Sequence, residues 1–298
     1  MRVMEKNADD RAFVDFLLRI GEGKEPTVQT KDYSSYIRIP DDILFTPVGP
    51  SINNSHERQL IKAIYFPNSS STTATTPTRA VLQDSIILAP RNSDVDLLNR
   101  LATAMLPGGP PTIFRSQDTI PDSDSEAAAQ FPTEVLNSFE LPGMPPHLLE
   151  LKVGQPIILL RNVDSIQGLC NGTRLIITRL GRKYIQASIL NGNRMGQVVA
   201  IPRIPIVSPE DGTLPVVFER RQFPVKPAFA ITINKSQGQT LQSVGVYLPQ
   251  PVFTHGQLYV ALSRCSSRNK TKVLIRNGAL PDFPGTYTKN IVYREALK

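Results

Sequence analysis

The chain has 298 residues, length for about two domains at ~100–200 residues each, and its 40% hydrophobic and 20% charged content excludes a disordered polymer. Lysine and arginine number 33 against 26 aspartates and glutamates, a formal +7, which favours a polyanionic partner. With 26 prolines and no tryptophan, many short elements joined by proline-punctuated loops are expected, not a helical bundle.

Asp9 or Asp10 can cap a first helix, in which Phe13, Phe16, Leu17 and Ile20 recur at helical spacing and which Gly21 and Gly23 end. A proline-rich stretch follows, with a short amphipathic segment near His56–Tyr65. Residues 69–77 are a serine- and threonine-rich tract, read as a solvated loop. Ser85–Pro90 reads as a buried strand stopped by proline, and Arg91 to Asp94 offer caps for a helix through Leu97, Leu98, Leu101 and Met105. Ligands of such α/β units gather at the carboxyl ends of the strands, where Pro90, Arg91 and Asn92 lie. A helix cap with a surface arginine explains the same residues. Pro107–Pro146 is rich in proline, serine and acidic residues and is expected to add little core.

From about Lys152 the pattern changes. Pro156–Leu160, Thr173–Thr178, Tyr184–Leu190 and Gln197–Ile201 are strand-length runs, with Asn171-Gly172 and Asn191-Gly192 as turns between them. Strands with tight turns and no intervening helix predict a small barrel. After Val225 the α/β pattern returns: strands at Ala228–Ile233, Ser243–Leu248 and Lys272–Ile275, and a helix at Thr254–Ser263. The expected architecture is therefore one α/β domain carrying an inserted β-barrel. Cys170 and Cys265 form no CxxC pair and His56, His147 and His255 are scattered, so neither a disulfide scaffold nor a metal site is expected. No apolar run approaches the ~18 residues of a membrane span, and no membrane partner is expected. The first residues are not followed by the apolar core of a secretory signal.

Two stretches carry chemistry. Thr232, Asn234, Lys235, Ser236, Gln237 and Gln239 crowd the end of an apolar strand. Their hydroxyl, amide and ammonium groups suit phosphate and sugar contacts without reading bases, and Gly238 lets the backbone approach a ligand. A plain polar helix entry is the alternative. Farther on, Leu258, Ala261 and Leu262 fall on one helix face and Arg264 at its end. A guanidinium there can reach a phosphate held by a neighbouring domain, as an arginine finger does, or complement the helix dipole. Arg220 lies outside this shelf, so its replacement by alanine is expected to affect DNA binding less than that of Lys235.

These residues resemble the last two motifs of superfamily-1 DNA helicases, nearest the Pif (petite integration frequency) branch and its Helitron-transposon relatives. The resemblance is carried by Phe229–Leu241 and Phe253–Arg264, and extends to Phe13–Gly23, Ile87–Asn92 with Val95 and Asn99, Leu151–Asn162, Gly168–Arg174 and Gln222–Val225. It implies a second RecA-like helicase domain, a P-loop NTPase-like fold lacking the P-loop, with an inserted barrel called 2B. The implied division is 1–25 as the end of a linker, 26–150 as the first part of the RecA-like domain, 151–222 as the barrel and 223–298 as the second part. It implies that Thr232, Asn234, Lys235 and Ser236, with Pro90, Arg91 and Asn92, touch single-stranded DNA. Gly238, Gln237 and Arg264 would face ATP, and Arg2 would be a second phosphate-sensing arginine.

The strand-linked GxxxxGK[ST] loop that cradles phosphates is not found, and no Asp-Glu pair follows an apolar strand. Both belong to a first motor domain expected before Met1, which would be this chain's partner and would hold Mg2+ beside the ATP. The implied function is 5′-to-3′ translocation on single-stranded DNA with duplex unwinding, in telomere maintenance, DNA repair and recombination or Helitron transposition. Localisation would be nuclear, or alternatively mitochondrial. A non-hydrolytic single-strand DNA-binding module and a protein-binding role for the barrel are the other readings.

Overall fold

The computed structural model describes residues 8–30, 35–67, 76–121, 131–212, 214–293 and 295. The chain divides into two compact units, one made of Met1–Ala102 with Phe229–Lys298 and the other of Thr103–Ala228. No described helix is long and apolar enough to cross a membrane.

The first unit is built on a four-stranded parallel sheet in the order Ala230–Thr232, Ser85–Ala89, Ser243–Leu248, Thr271–Ile275. All five residues of Ser85–Ala89 are buried, as an apolar run in the middle of a parallel sheet requires. The helix Asn92–Met105 follows directly, so strand, polar turn and helix form the expected unit. A second helix, Ser55–Tyr65, lies on the sheet. A Cβ added at Gly245 would come within 3.1 Å of Ile64 and 3.2 Å of Ile87, so a larger residue there would push these side chains aside where helix and sheet meet. At the carboxyl end of the same sheet the fully buried Glu57 accepts from the Tyr247 hydroxyl at 2.6 Å and from Arg276 at 2.5 Å. Burial, and then the bond to Glu57, push the Tyr247 phenol well above its ordinary range.

The edge strand Ala230–Thr232 is held from the side by Asn99. Its amide nitrogen donates to the Ala230 carbonyl at 3.0 Å and its amide oxygen accepts from the Ala230 N–H at 2.9 Å. Tyr65 adds a short hydrogen bond to the Phe229 carbonyl. The strand that carries the polar turn is thus fixed on both sides. A small antiparallel sheet of Thr27–Gln29, Ser35–Arg38 and Tyr287–Lys289 completes this unit. These strands of three or four residues are too short to leave a periodic signal in the sequence.

The second unit is β-rich. Five antiparallel strands run in the order Val198–Pro202, Tyr184–Ile189, Arg174–Leu180, Pro156–Leu159, Val225–Pro227, with a bulge between Ile177 and Arg179. The Asn191-Gly192 turn stands where expected, and Gly192 has φ +88°, which an L side chain rarely adopts. Further ladders are Ile204–Val207 with Glu219–Gln222 and Gln117–Thr119, and Thr112–Arg115 with Leu148–Leu151. Among the described residues the two outer strands of the five-stranded sheet do not pair with each other, so the ladders are shared among three sheets and not drawn into one closed ring. Their main core gathers Leu149, Ile157, Leu159, Leu175, Ile177, Ile185, Ile201 and Phe223.

The proline-rich stretch 107–146 is more structured than its composition suggests. It supplies two strands, the helix Thr133–Ser138 and part of a second core around Leu136, Met144, Ile206 and Phe218. Its organiser is Arg220, which is fully buried. The guanidinium clasps Asp118, with Nη2 to Oδ2 at 2.6 Å, and donates to the carbonyls of Leu136, Phe139 and Pro145. Ser116 Oγ donates to Asp118 Oδ1 at 2.6 Å and lies 2.8 Å from His147 Nδ1. A hydroxyl has one proton to give, so His147 carries its own on Nδ1 and donates to the serine. Burial, the largest influence, pulls the imidazole below its ordinary pKa.

Candidate nucleic-acid interface

The expected strand Ala228–Ile233 is shorter. It spans Ala230–Thr232 and passes into a 3-10 turn at Ile233–Ser236. Buried Ile233 anchors the turn in the core, and Asn234, Lys235 and Gln237 are exposed. Thr232 is half-buried at the strand end. Gly238 is exposed with φ +82°, the left-handed backbone that glycine adopts without strain. Ser236 departs from the expected shelf. It is fully buried, and its hydroxyl donates to the Ile233 carbonyl at 2.6 Å, so it closes the turn and does not face a ligand.

The register of the sheet places a second loop beside this turn. Thr232 pairs with Ala89, so the carboxyl ends of the two strands coincide, and Pro90-Arg91-Asn92 leaves the sheet next to the turn. Arg91 and Asn92 are exposed, whereas Pro90 is buried and offers no side-chain surface. The Arg91 carbonyl accepts from the Val95 N–H at 3.2 Å, which ties the loop to the helix Asn92–Met105. Asp94, in that helix's first turn, has its carboxyl pushed up by burial, with Arg91 acting in the opposite sense. On the other side of the central strand the loop after Ser243–Leu248 carries Phe253, whose ring lies 5.8 Å from the Arg91 guanidinium carbon. Phe253 was not among the residues expected from sequence; the signal was an aromatic just before Thr254-His255-Gly256.

The helix expected at Thr254–Ser263 is confined to Gln257–Leu262, with Leu258, Ala261 and Leu262 buried. It packs against the 3-10 turn, so the two chemically rich stretches meet in space. Arg264 joins them. The side chain is half-buried, with Nε donating to the Val260 carbonyl at 2.9 Å, Nη1 to the Gln239 carbonyl at 3.1 Å and Nη2 to Ser263 Oγ at 2.9 Å. Its own carbonyl accepts from the Leu241 N–H at 3.0 Å. Next to it Cys265 is buried, which raises its thiol pKa and makes it a packing residue. Arg2 lies outside the described residues. Among the described residues no three His, Cys, Asp or Glu side chains gather as a metal site would require, so a ligand set for Mg2+ is not found among them.

The arrangement can engage a polyanionic strand. Amide, ammonium and guanidinium groups stand on loops whose backbones are fixed by the sheet, which suits phosphate contacts and not base readout. Comparison with known proteins gives this edge its context. The family described as DNA helicase Pif1, 2B domain, matches residues 134–180, within the second unit. The ATP-dependent DNA helicase PIF1 of Homo sapiens is 32% identical over 205 residues, which is 67% of this chain and 29% of that protein. Among solved structures, Bacteroides Pif1 bound to ssDNA superposes with a TM-score of 0.56 at 21% identity, covering 100% of this chain and 53% of that one. The Pif1 helicase of Candida albicans gives 0.56 at 23%, covering 96% and 56%. The chain therefore spans less than a third of the human relative and about half of the solved chains.

A mixed α/β fold of this kind, with a β-rich unit inserted in it, is that of the C-terminal region of a superfamily-1 helicase. In these regions the chain is similar to the Pif1 family of these helicases.

Proposed function

We propose that this chain is the C-terminal motor region of an ATP-dependent DNA helicase, gripping the backbone of single-stranded DNA and lending Arg264 to a nucleotide held by an ATPase domain. The observation that carries this reading is that the Thr232–Gly238 turn lies beside the Arg91–Asn92 loop at the carboxyl edge of a parallel sheet and packs on the helix Gln257–Leu262, after which Arg264 binds the Gln239 carbonyl. Thr232, Asn234, Lys235, Arg91 and Asn92 supply the DNA contacts in this proposal. Gln237, Gly238 and Arg264 face the nucleotide. Arg2 adds a second arginine to it. ATP and Mg2+ would be held chiefly by the ATPase domain, since neither a phosphate-cradling loop nor a carboxylate cluster is found in the sequence or the described residues here. Names of relatives and solved structures support the reading, being ATP-dependent DNA helicases and a Pif1 bound to ssDNA.

The proposal extends to 5′-to-3′ movement, to a nuclear role in repair, recombination or telomere maintenance, and to Helitron transposition as the alternative setting. The test joins this chain to the coding sequence upstream of it. The product is expected to hydrolyse ATP when single-stranded DNA is added and to unwind a duplex with a 5′ tail in preference to a 3′ tail. Hydrolysis that ignores DNA, or unwinding from the 3′ tail alone, would count against it.

A second reading is favoured by the missing phosphate loop. The chain by itself acts as a non-hydrolytic single-strand DNA-binding module. Purified alone, it is expected to bind oligonucleotides and to release no phosphate from ATP above a mock preparation.

A further inference from the structure

We propose that Phe253, with Arg91 beside it, is a stacking platform for one base of single-stranded DNA, an inference that rests on the DNA-binding reading of this edge. The central strand Ser85–Ala89 is flanked by Ala230–Thr232 on one side and Ser243–Leu248 on the other, all parallel. Their carboxyl ends therefore release three loops in a row: the polar turn, the Arg91 loop and the Phe253 loop. Neighbouring strands are about 4.8 Å apart, so the row spans roughly two such spacings. A strand whose phosphates lie on the first loop has its sugars and bases within reach of the third.

Phe253 is suited to that position by contrast with its neighbours. Val252 is buried at 2% exposure and pins the loop, whereas the Phe253 ring is 50% exposed. The backbone beneath the ring is fixed, because the Phe253 N–H donates to Oε1 of the buried Gln257 at 3.1 Å. A rigid, exposed phenyl next to exposed cationic and amide groups has no folding role that its exposure would serve. It presents an apolar π-face where a polyanion is held. The Arg91 guanidinium, 5.8 Å from the ring centre, supplies a second flat cationic surface against which a base can lie. Every base has a π-face, so this contact adds affinity without adding sequence preference.

The proposal is tested on the purified chain with two probes of equal length, an oligothymidine and an oligomer whose bases are replaced by abasic sites. The parent is expected to prefer the thymidine strand by roughly five- to a hundredfold, the value of one stacked base. Phe253→Ala and Phe253→Leu should lose that preference, Leu because it keeps bulk but has no π-face, while Phe253→Tyr keeps it. The dependence on salt should be the same in all four proteins, because a phenyl ring neutralises no phosphate. Unchanged thermal unfolding shows that the variants fold, as replacement of an exposed ring permits. If the parent prefers thymidine and both Ala and Leu variants keep the full preference, the platform is not Phe253. If the parent binds both probes equally and Lys235→Ala weakens both, the platform fails and the phosphate shelf stands. If the parent binds neither probe, the DNA-binding reading fails and the platform with it.

Discussion

Each compact unit contains an arginine that grips an aspartate through two nitrogens, and the two pairs live in different surroundings. Arg220 and Asp118 have side chains 1% and 0% exposed, and the same guanidinium also serves four carbonyls of the neighbouring segment. Arg268 and Asp42 are 21% and 49% exposed, at the surface of the other unit. The ion-pair chemistry is the same, but burial decides its weight. In the interior neither partner can be replaced by water, so each charge depends on the other. At the surface, water and salt do most of what the partner does. The contrast also separates scaffold from candidate site. Polar groups consumed internally, such as those of Arg220 and Ser236, hold shape, whereas exposed groups on a fixed backbone, such as Asn234, Lys235 and Arg91, can take a ligand.

Arg264 tests that division most severely, because it stands between the two cases. It is half-buried and bound to carbonyls, as Arg220 is, yet it sits on the candidate site. In a protein that includes the ATPase domain, Arg264→Ala is expected to slow unwinding by roughly 10³–10⁵. DNA affinity should stay within a few-fold, and the unfolding transition should hardly move. A large loss of stability with a proportionate loss of DNA binding would place Arg264 with the scaffold.

The next largest effect belongs to Arg220→Ala, which strands Asp118 without a countercharge. About 3–5 kcal/mol of stability should be lost, read from denaturant unfolding of the second unit. Replacing both partners by apolar residues, Arg220→Met with Asp118→Leu, should be far milder, since no charge is then left buried. Equal damage from the single and double changes would mean that the carbonyl bonds, and not the ion pair, carry the site.

Arg220 also shows where sequence reading stops. Ser243–Leu248 was legible to the residue, because a run of apolar residues bounded by polar turns can only be a buried strand. The helix after Arg91 was legible from its periodicity. The Arg220–Asp118 pair joins positions 102 residues apart, and its aspartate stands in a stretch of low apolar density. The clue was Phe218, just before the strand, alternating with Arg220 and Gln222 while Glu219 is half-buried and Arg221 exposed, but alternation cannot say that a charged face points inward. At the candidate site the residue types were legible and their division of labour was not. Ser236 looks like a phosphate ligand in sequence, and only the turn shows that its proton is already committed. Arg264 and Gln239 lie 25 residues apart, and their contact depends on the sheet bringing two loops together.

A smaller effect sharpens the exposed side of the comparison. Lys235 is an exposed residue on the rim of the turn. Lys235→Ala should weaken single-strand binding by a similar factor for every sequence. It should also make the log–log salt slope less steep by about 0.7, the value of one neutralised phosphate on a single strand. An unchanged slope with weaker binding would mean that the lysine shapes the loop without touching a phosphate.

The smallest effect expected is at the surface pair itself. The hydrogen bond from Arg268 is the main influence holding the Asp42 carboxyl below its ordinary range, with partial desolvation acting the other way. A carboxylate whose folded pKa lies below its unfolded one adds stability above the unfolded value and loses it as pH falls through the folded one. Because Asp42 is about half exposed, that stability is screened, and Asp42→Asn should remove no more than about 1 kcal/mol at neutral pH. The difference between parent and variant in thermal unfolding should shrink in high salt. It should vanish in acid below the ordinary carboxylate range, where the parent's aspartate is neutral too. Had the pair been buried like Arg220–Asp118, salt would barely touch the difference and the loss would be several-fold larger. A salt-insensitive loss at Asp42 would therefore break the rule that exposure, and not ion-pair geometry, sets the worth of the two arginines.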